Sequence, residues 1–144
     1  MGRRTLAIDY GEKRIGLAIS DETATLARPL AVIPNDAGVL DALTRICLER
    51  DLSTVVVGHP RTLKSARSQA TEAAEHFAAQ LAERLGQGVN VILWDERLTT
   101  AQAIAAMRDS GADQRRGRSR VDAVSAALLL QSYLDRRSPK GAGQ

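Results

Sequence analysis

Apolar and polar positions along this chain change period several times, and the changes mark its elements. Leu6 to Asp9 and Ile15 to Ser20 are short apolar runs separated by a glycine-containing turn, the pattern of a hairpin. Ala27 to Ile33 continues as a third run, but Pro29 interrupts it, which predicts an edge strand. Pro34-Asn35-Asp36 then supplies a break and a helix N-cap. From Val39, the positions Leu40, Leu43, Ile46 and Cys47 recur at helical spacing, and Cys47 reads as a core residue of that helix. Ser53 to Gly58 holds a β-branched run too short for a helix. The Ala-rich segment beyond it places Ala70, Ala73, Ala74, Phe77, Leu81 and Leu85 on one helical face. Gly86-Gln87-Gly88 stops that helix, and Val89 to Trp94 forms another buried strand. Thr99 or Thr100 caps a further helix that stops near Gly111, and a last one runs from about Ser119 to Arg136. The order is βββαβαβαα. Later strands alternate with helices and should be parallel, which predicts a mixed, helix-covered α/β sheet.

Length and composition narrow the class. The chain has 144 residues, enough for one domain over 1–137, with Ser138 to Gln144 expected as a frayed tail. No stretch approaches the roughly 20 apolar residues of a membrane span, and the N-terminus lacks an apolar signal core. A single cysteine excludes an internal disulfide framework and suits a reducing cytosol, so a cytoplasmic location is expected. Of the 20 basic residues only Lys13, Lys64 and Lys140 are lysine; the rest are arginine, whose planar fork suits phosphate. Arg108, Arg115, Arg116, Arg118 and Arg120 fall close together, immediately before Asp122. Such a basic strip beside an acidic site suits a polyanionic partner.

The candidate chemistry rests on three acids at element ends: Asp9, Glu96 and Asp122. Each has a bland reading alone: a polar hairpin turn, a solvated turn, and a partner for a helix dipole. Together they point to one crevice at the ends of buried strands. Two carboxylates at ~4 Å repel by roughly 4 kcal/mol at an effective dielectric of 20. A hard divalent cation with oxygen ligands offsets that repulsion. Gly11 permits a tight turn after Asp9, and Gly16 lets the second strand lie close to a neighbour or ligand. Alternation puts Asp95 and Glu96 on opposite faces, so one of the two joins the site. His59 ends a strand on the same edge and reads as a satisfied loop histidine more readily than as a proton carrier; His76 has no assigned role. Trp94 reads as core before it reads as a base-stacking platform. With one Trp, one Phe and two Tyr, recognition should work through phosphates and nucleic-acid shape.

These residues carry a resemblance. Ala7-Ile8-Asp9-Tyr10-Gly11-Glu12-Lys13-Arg14-Ile15-Gly16-Leu17-Ala18 with Ser20-Asp21, Val57-Gly58-His59-Pro60, Trp94-Asp95-Glu96-Arg97-Leu98-Thr99-Thr100, and the run from Asp122 to Leu134 are similar to the YqgF/RuvX family. That family comprises pre-16S rRNA nucleases also described as Holliday-junction resolvase-like proteins. The resemblance spans residues 5 to 134. It departs after Pro60, where Arg61-Thr62-Leu63-Lys64-Ser65 lacks the glycine the family commonly carries. It implies an RNase H-like fold, a five-stranded mixed sheet with helices on both faces. It also implies a nuclease site whose acids map onto Asp9, Glu96 and Asp122. On that basis these three would hold two Mg²⁺ (or Mn²⁺) ions about 4 Å apart, with Asp9 bridging them. Lys13, Arg14 and Arg97 would neutralise phosphates at the cleaved bond, and Arg115, Arg116, Arg118 and Arg120 would hold the flanking strand. The expected substrate is pre-rRNA, with branched DNA as the alternative, for a monomer or a homodimer; a junction resolvase requires two sites on a dimer. Two other readings are weighed. Asp-x-Gly followed by a glycine-containing hairpin also resembles the phosphate loop of actin-like ATPases, but those need duplicated domains. A non-catalytic nucleic-acid binder would leave an intact acid triad idle.

Overall fold

The computed structural model describes residues 4–59, 69–95 and 114–137, with side chains in the last segment described for 123–136. Strands β1 (Arg4–Asp9), β2 (Arg14–Ser20) and β3 (Ala27–Pro34) form an antiparallel meander. Helix α1 (Val39–Glu49), strand β4 (Leu52–His59), helix α2 (Gln69–Leu85) and strand β5 (Asn90–Asp95) follow. Helix α3 (Gln114–Arg137) is the last element. The sheet order is β3-β2-β1-β4-β5, with β4 parallel to both β1 and β5. The five-stranded mixed sheet expected from the sequence is the one observed.

Its two faces differ in side-chain size. Leu6 and Ile8 of β1, Ile15, Leu17 and Ile19 of β2, and Val55 and Val57 of β4 point to one side. There they bury Leu43 and Cys47 of α1 and Phe77 and Leu81 of α2. The residues between them, Ala7, Ala18 and Val56, meet Ala126, Leu129, Leu130 and Leu134 of α3 on the other. Alternation of large and small residues therefore lets α3 lie close to the sheet. That proximity brings the start of α3 toward the site.

Pro29 does confine β3 to the edge. The register shifts where Leu17 and Ala18 of β2 face Ala31 and Pro29, leaving Leu30 as the extra residue of a bulge. Three expectations need correction. Asp36 is not the N-cap of α1: that residue is Gly38, without a side-chain cap. The Asp36 carboxylate instead accepts the Gly38 N–H at 3.0 Å, forming the turn before the helix. The buried face of α2 is Thr71, Ala74, Phe77, Ala78 and Leu81, and Ala70 is exposed. The last helix starts at Gln114, five residues before the expected Ser119, because arginine is a good helix former and carries the helix through Gly117. Gly86 does stop α2, with φ +74°. The helix expected from Thr99 or Thr100 to Gly111, and the tail 138–144, lie outside the described residues.

Candidate active site

The sheet register builds the site around Asp9, the last residue of the central strand. Asp9 pairs with Gly16 of β2, and Gly16 pairs with Val32 of β3. On the other side Ile8 pairs with Val57, so Asp9 comes beside Gly58, which pairs with Trp94 of β5. One row across the sheet therefore reads Val32, Gly16, Asp9, Gly58, Trp94. It continues the α3-facing parity of Ala7, Ala18 and Val56. With a glycine on either side, the half-buried Asp9 has no neighbouring β-carbon in its row before Val32 and Trp94.

The turn that presents Asp9 is held from two directions. A Cβ on Gly11 would lie 2.3 Å from the carbonyl oxygen of Arg14, so only glycine fits there. Asn35 donates from Nδ2 to the Gly11 carbonyl at 2.8 Å, and from its backbone N–H to the Lys13 carbonyl at 3.0 Å. Asn35 is thus a positioning residue that the sequence reading treated only as a helix break. Its clue was its place just after Pro34, which pairs with Arg14. Tyr10, beside Asp9, packs on Phe77 with ring centroids 4.8 Å apart. Lys13 and Arg14 are exposed at this turn, on the same edge as Asp9.

His59 is the last residue of β4 rather than a loop residue, and it is nearly buried. Its Nε2 lies 2.8 Å from Glu75 Oε2 on α2. It pairs in register with Asp95, and both have the parity of the α1–α2 face, opposite to Asp9. His59 is therefore a satisfied histidine, tying α2 to the strand end. Trp94 lies edge-on to Tyr133 at 5.2 Å and donates its Nε1–H to Ser132 at 3.2 Å, a packing role. Gln131, three residues from Leu134, tethers α3 to the start of β3. It accepts the Ala27 N–H and donates to the Thr25 carbonyl, both at 2.9 Å.

Of the three candidate acids, Asp9 is described in full. Asp122 is described as a backbone position of α3, as are Arg115, Arg116, Arg118 and Arg120, while Glu96 and Arg97 lie outside the described residues. Among the described residues no three His, Cys, Asp or Glu side chains form a metal cluster. The donor type at Asp9, a hard carboxylate oxygen, fits Mg²⁺ or Mn²⁺. Among the described residues no helix is long and apolar enough to cross a membrane.

A 3-2-1-4-5 sheet of this mixed sense, with helices on both faces and a carboxylate ending the central strand, is the RNase H-like fold of the junction resolvases. Thermus thermophilus RuvC matches with a TM-score of 0.56 at 18% identity, over 90% of this chain and 94% of that one. The fowlpox virus Holliday junction resolvase matches at 0.53 and 15% identity, over 92% and 98%. Residues 3–136 match the RuvX family model, described as Holliday junction resolvase, and the chain belongs to this family. A relative from Syntrophus aciditrophicus is 39% identical over 137 residues, 92% of this chain and 88% of its own. Another from Ruminiclostridium cellulolyticum is 39% identical over 136 residues, 92% and 94% of the two chains. Both relatives are named as candidate pre-16S rRNA nucleases.

Proposed function

We propose that this protein is a divalent-metal-dependent nuclease that hydrolyses phosphodiester bonds in the 5′ maturation of pre-16S rRNA. The observation that carries this reading is the glycine-flanked carboxylate of Asp9 at the end of the central strand. Family membership and the names of relatives supply the RNA. Asp122 belongs to α3 one helical turn before Ala126, which is fully buried against the sheet. On the family resemblance, Asp9, Glu96 and Asp122 are the residues that would hold Mg²⁺ or Mn²⁺. When bound, the ions supply Lewis acidity at the phosphate and an activated water. The chain's own part is to orient and neutralise. The Asn35-braced turn holds Asp9 in place, Lys13, Arg14 and Arg97 offset phosphate charge, and Arg115, Arg116, Arg118 and Arg120 grip the flanking strand.

The family description and the resolvase fold favour a second reading, cleavage of four-way DNA junctions. Labelled pre-rRNA and junction substrates, each run with Mg²⁺, Mn²⁺ or EDTA, separate the two. Metal-dependent cutting of the RNA is expected. Preferential, paired cutting of junctions by a dimer would replace RNA maturation with junction resolution, and cutting unaffected by EDTA would overturn the metal requirement.

A further inference from the structure

On the α3 side of the sheet, a groove of about 490 Å³ runs between the edge strand β3 and the start of the described part of α3. This lies within the roughly 300–1,000 Å³ typical of small-molecule pockets. Its walls include Pro29, Ala31, Val32 and Pro34 of β3 and Ala123 of α3, with Arg14 at one end. The groove is continuous with the candidate site. Val32 ends the same cross-sheet row as Asp9, two strands and so about 10 Å away, and Ala123 follows Asp122 in the chain.

We propose that this groove holds the base of an unpaired nucleotide next to the cleaved phosphate, with Arg14 on the adjoining phosphate. The inference rests on the nuclease reading for the identity of its ligand. Three observations select that occupant. Among the described residues the walls are aliphatic and proline surfaces, which suit the flat face of a base. The edge of β3 has no further strand beside it among the described residues, so backbone groups line the wall. Pro29 and Pro34 each remove an N–H from that wall, so acceptors outnumber donors and favour the amino and imino groups of a base. A paired base would present those groups to its partner strand instead. The four aromatic residues offer no alternative platform, because Tyr10 packs with Phe77 and Trp94 with Tyr133. The arginine guanidinium supplies the charge complement for the phosphate.

The test is binding, in EDTA, of labelled single-stranded RNA in which one abasic residue is walked along the sequence. Fluorescence anisotropy on the full chain reads the affinity. For the wild type, one abasic position is expected to weaken binding about tenfold, the scale of one lost stacking contact. Val32→Phe, which enlarges a side chain of the α3-facing parity in that wall, should weaken the intact RNA and abolish that position's penalty. Val32→Met serves if Val32→Phe fails to fold. Arg14→Gln should weaken all the RNAs alike and lower the salt slope by about one. An abasic penalty that persists in the filled-groove variant, or no position-specific penalty in the wild type, overturns the proposal. Position-specific binding without any metal-dependent cleavage would leave the subsite standing and remove the nuclease reading alone.

Discussion

At Asp9 and its neighbours, what matters is the glycine on either side in the row and how firmly the turn is fixed. Gly11→Ala would drive a Cβ against the Arg14 carbonyl, so the turn must open. We expect a loss of about 1–3 kcal/mol in urea unfolding, the usual scale for forced backbone shifts, and an unchanged midpoint would show that the turn is not tight. His59 tests a different kind of fixing. Glu75→Ala leaves a nearly buried histidine without this partner and should cost about 1–3 kcal/mol, whereas adding His59→Leu should recover most of it. Equal destabilisation in the single and double variants would contradict the pairing. Burial pushes the Cys47 thiol up to about 11, so at pH 8 it should react with a thiol reagent only on unfolding. Rapid labelling of the native protein would refute that burial. The sequence announced Asp9 and Cys47 through a motif and a helical stripe. It did not announce Asn35 or the His59–Glu75 pair, because those bonds join residues 24 and 16 positions apart through the fold.

Elements were legible wherever one period dominated. The five strands and the α1 stripe followed from alternation and helical spacing, and Pro29 correctly marked the edge strand. The errors fell where side-chain chemistry competes. Asp36 satisfies a turn N–H instead of capping α1, and the Ala-rich α2 has too little size contrast to fix its buried face. Between the helices, Arg84 of α2 pairs with Asp41 of α1 and holds that carboxyl below the usual carboxylate range. A lowered folded pKa means the contribution is present above the unfolded value and lost as pH falls through the folded one. Stability should therefore fall less on acidification in Asp41→Asn than in the wild type below about pH 4, and identical acid profiles would count against the link.

At the scale of the whole molecule, a sheet with one bulky and one small face brings α3 close to the strand that ends at Asp9. The fold was readable because short apolar runs alternate with helical stripes and because the family motifs lie in order. The grouping of Asp9, Glu96 and Asp122 was suggested by their places at element ends and by the family motifs. The arginine-rich start of α3 should make RNA binding strongly salt-dependent. With four phosphates neutralised on a single strand, the log–log slope should be about −3, and a slope near zero would remove the electrostatic grip. The central claim is that Asp9 is catalytic. It is tested most directly by single-turnover cleavage of pre-rRNA with Mg²⁺, comparing wild type with Asp9→Asn at matched thermal stability. The account predicts that the variant still binds RNA but cuts it slower by about 10²-fold or more, the scale of losing one electrostatic partner of a transition state. Cleavage at the wild-type rate by a folded Asp9→Asn protein would contradict it.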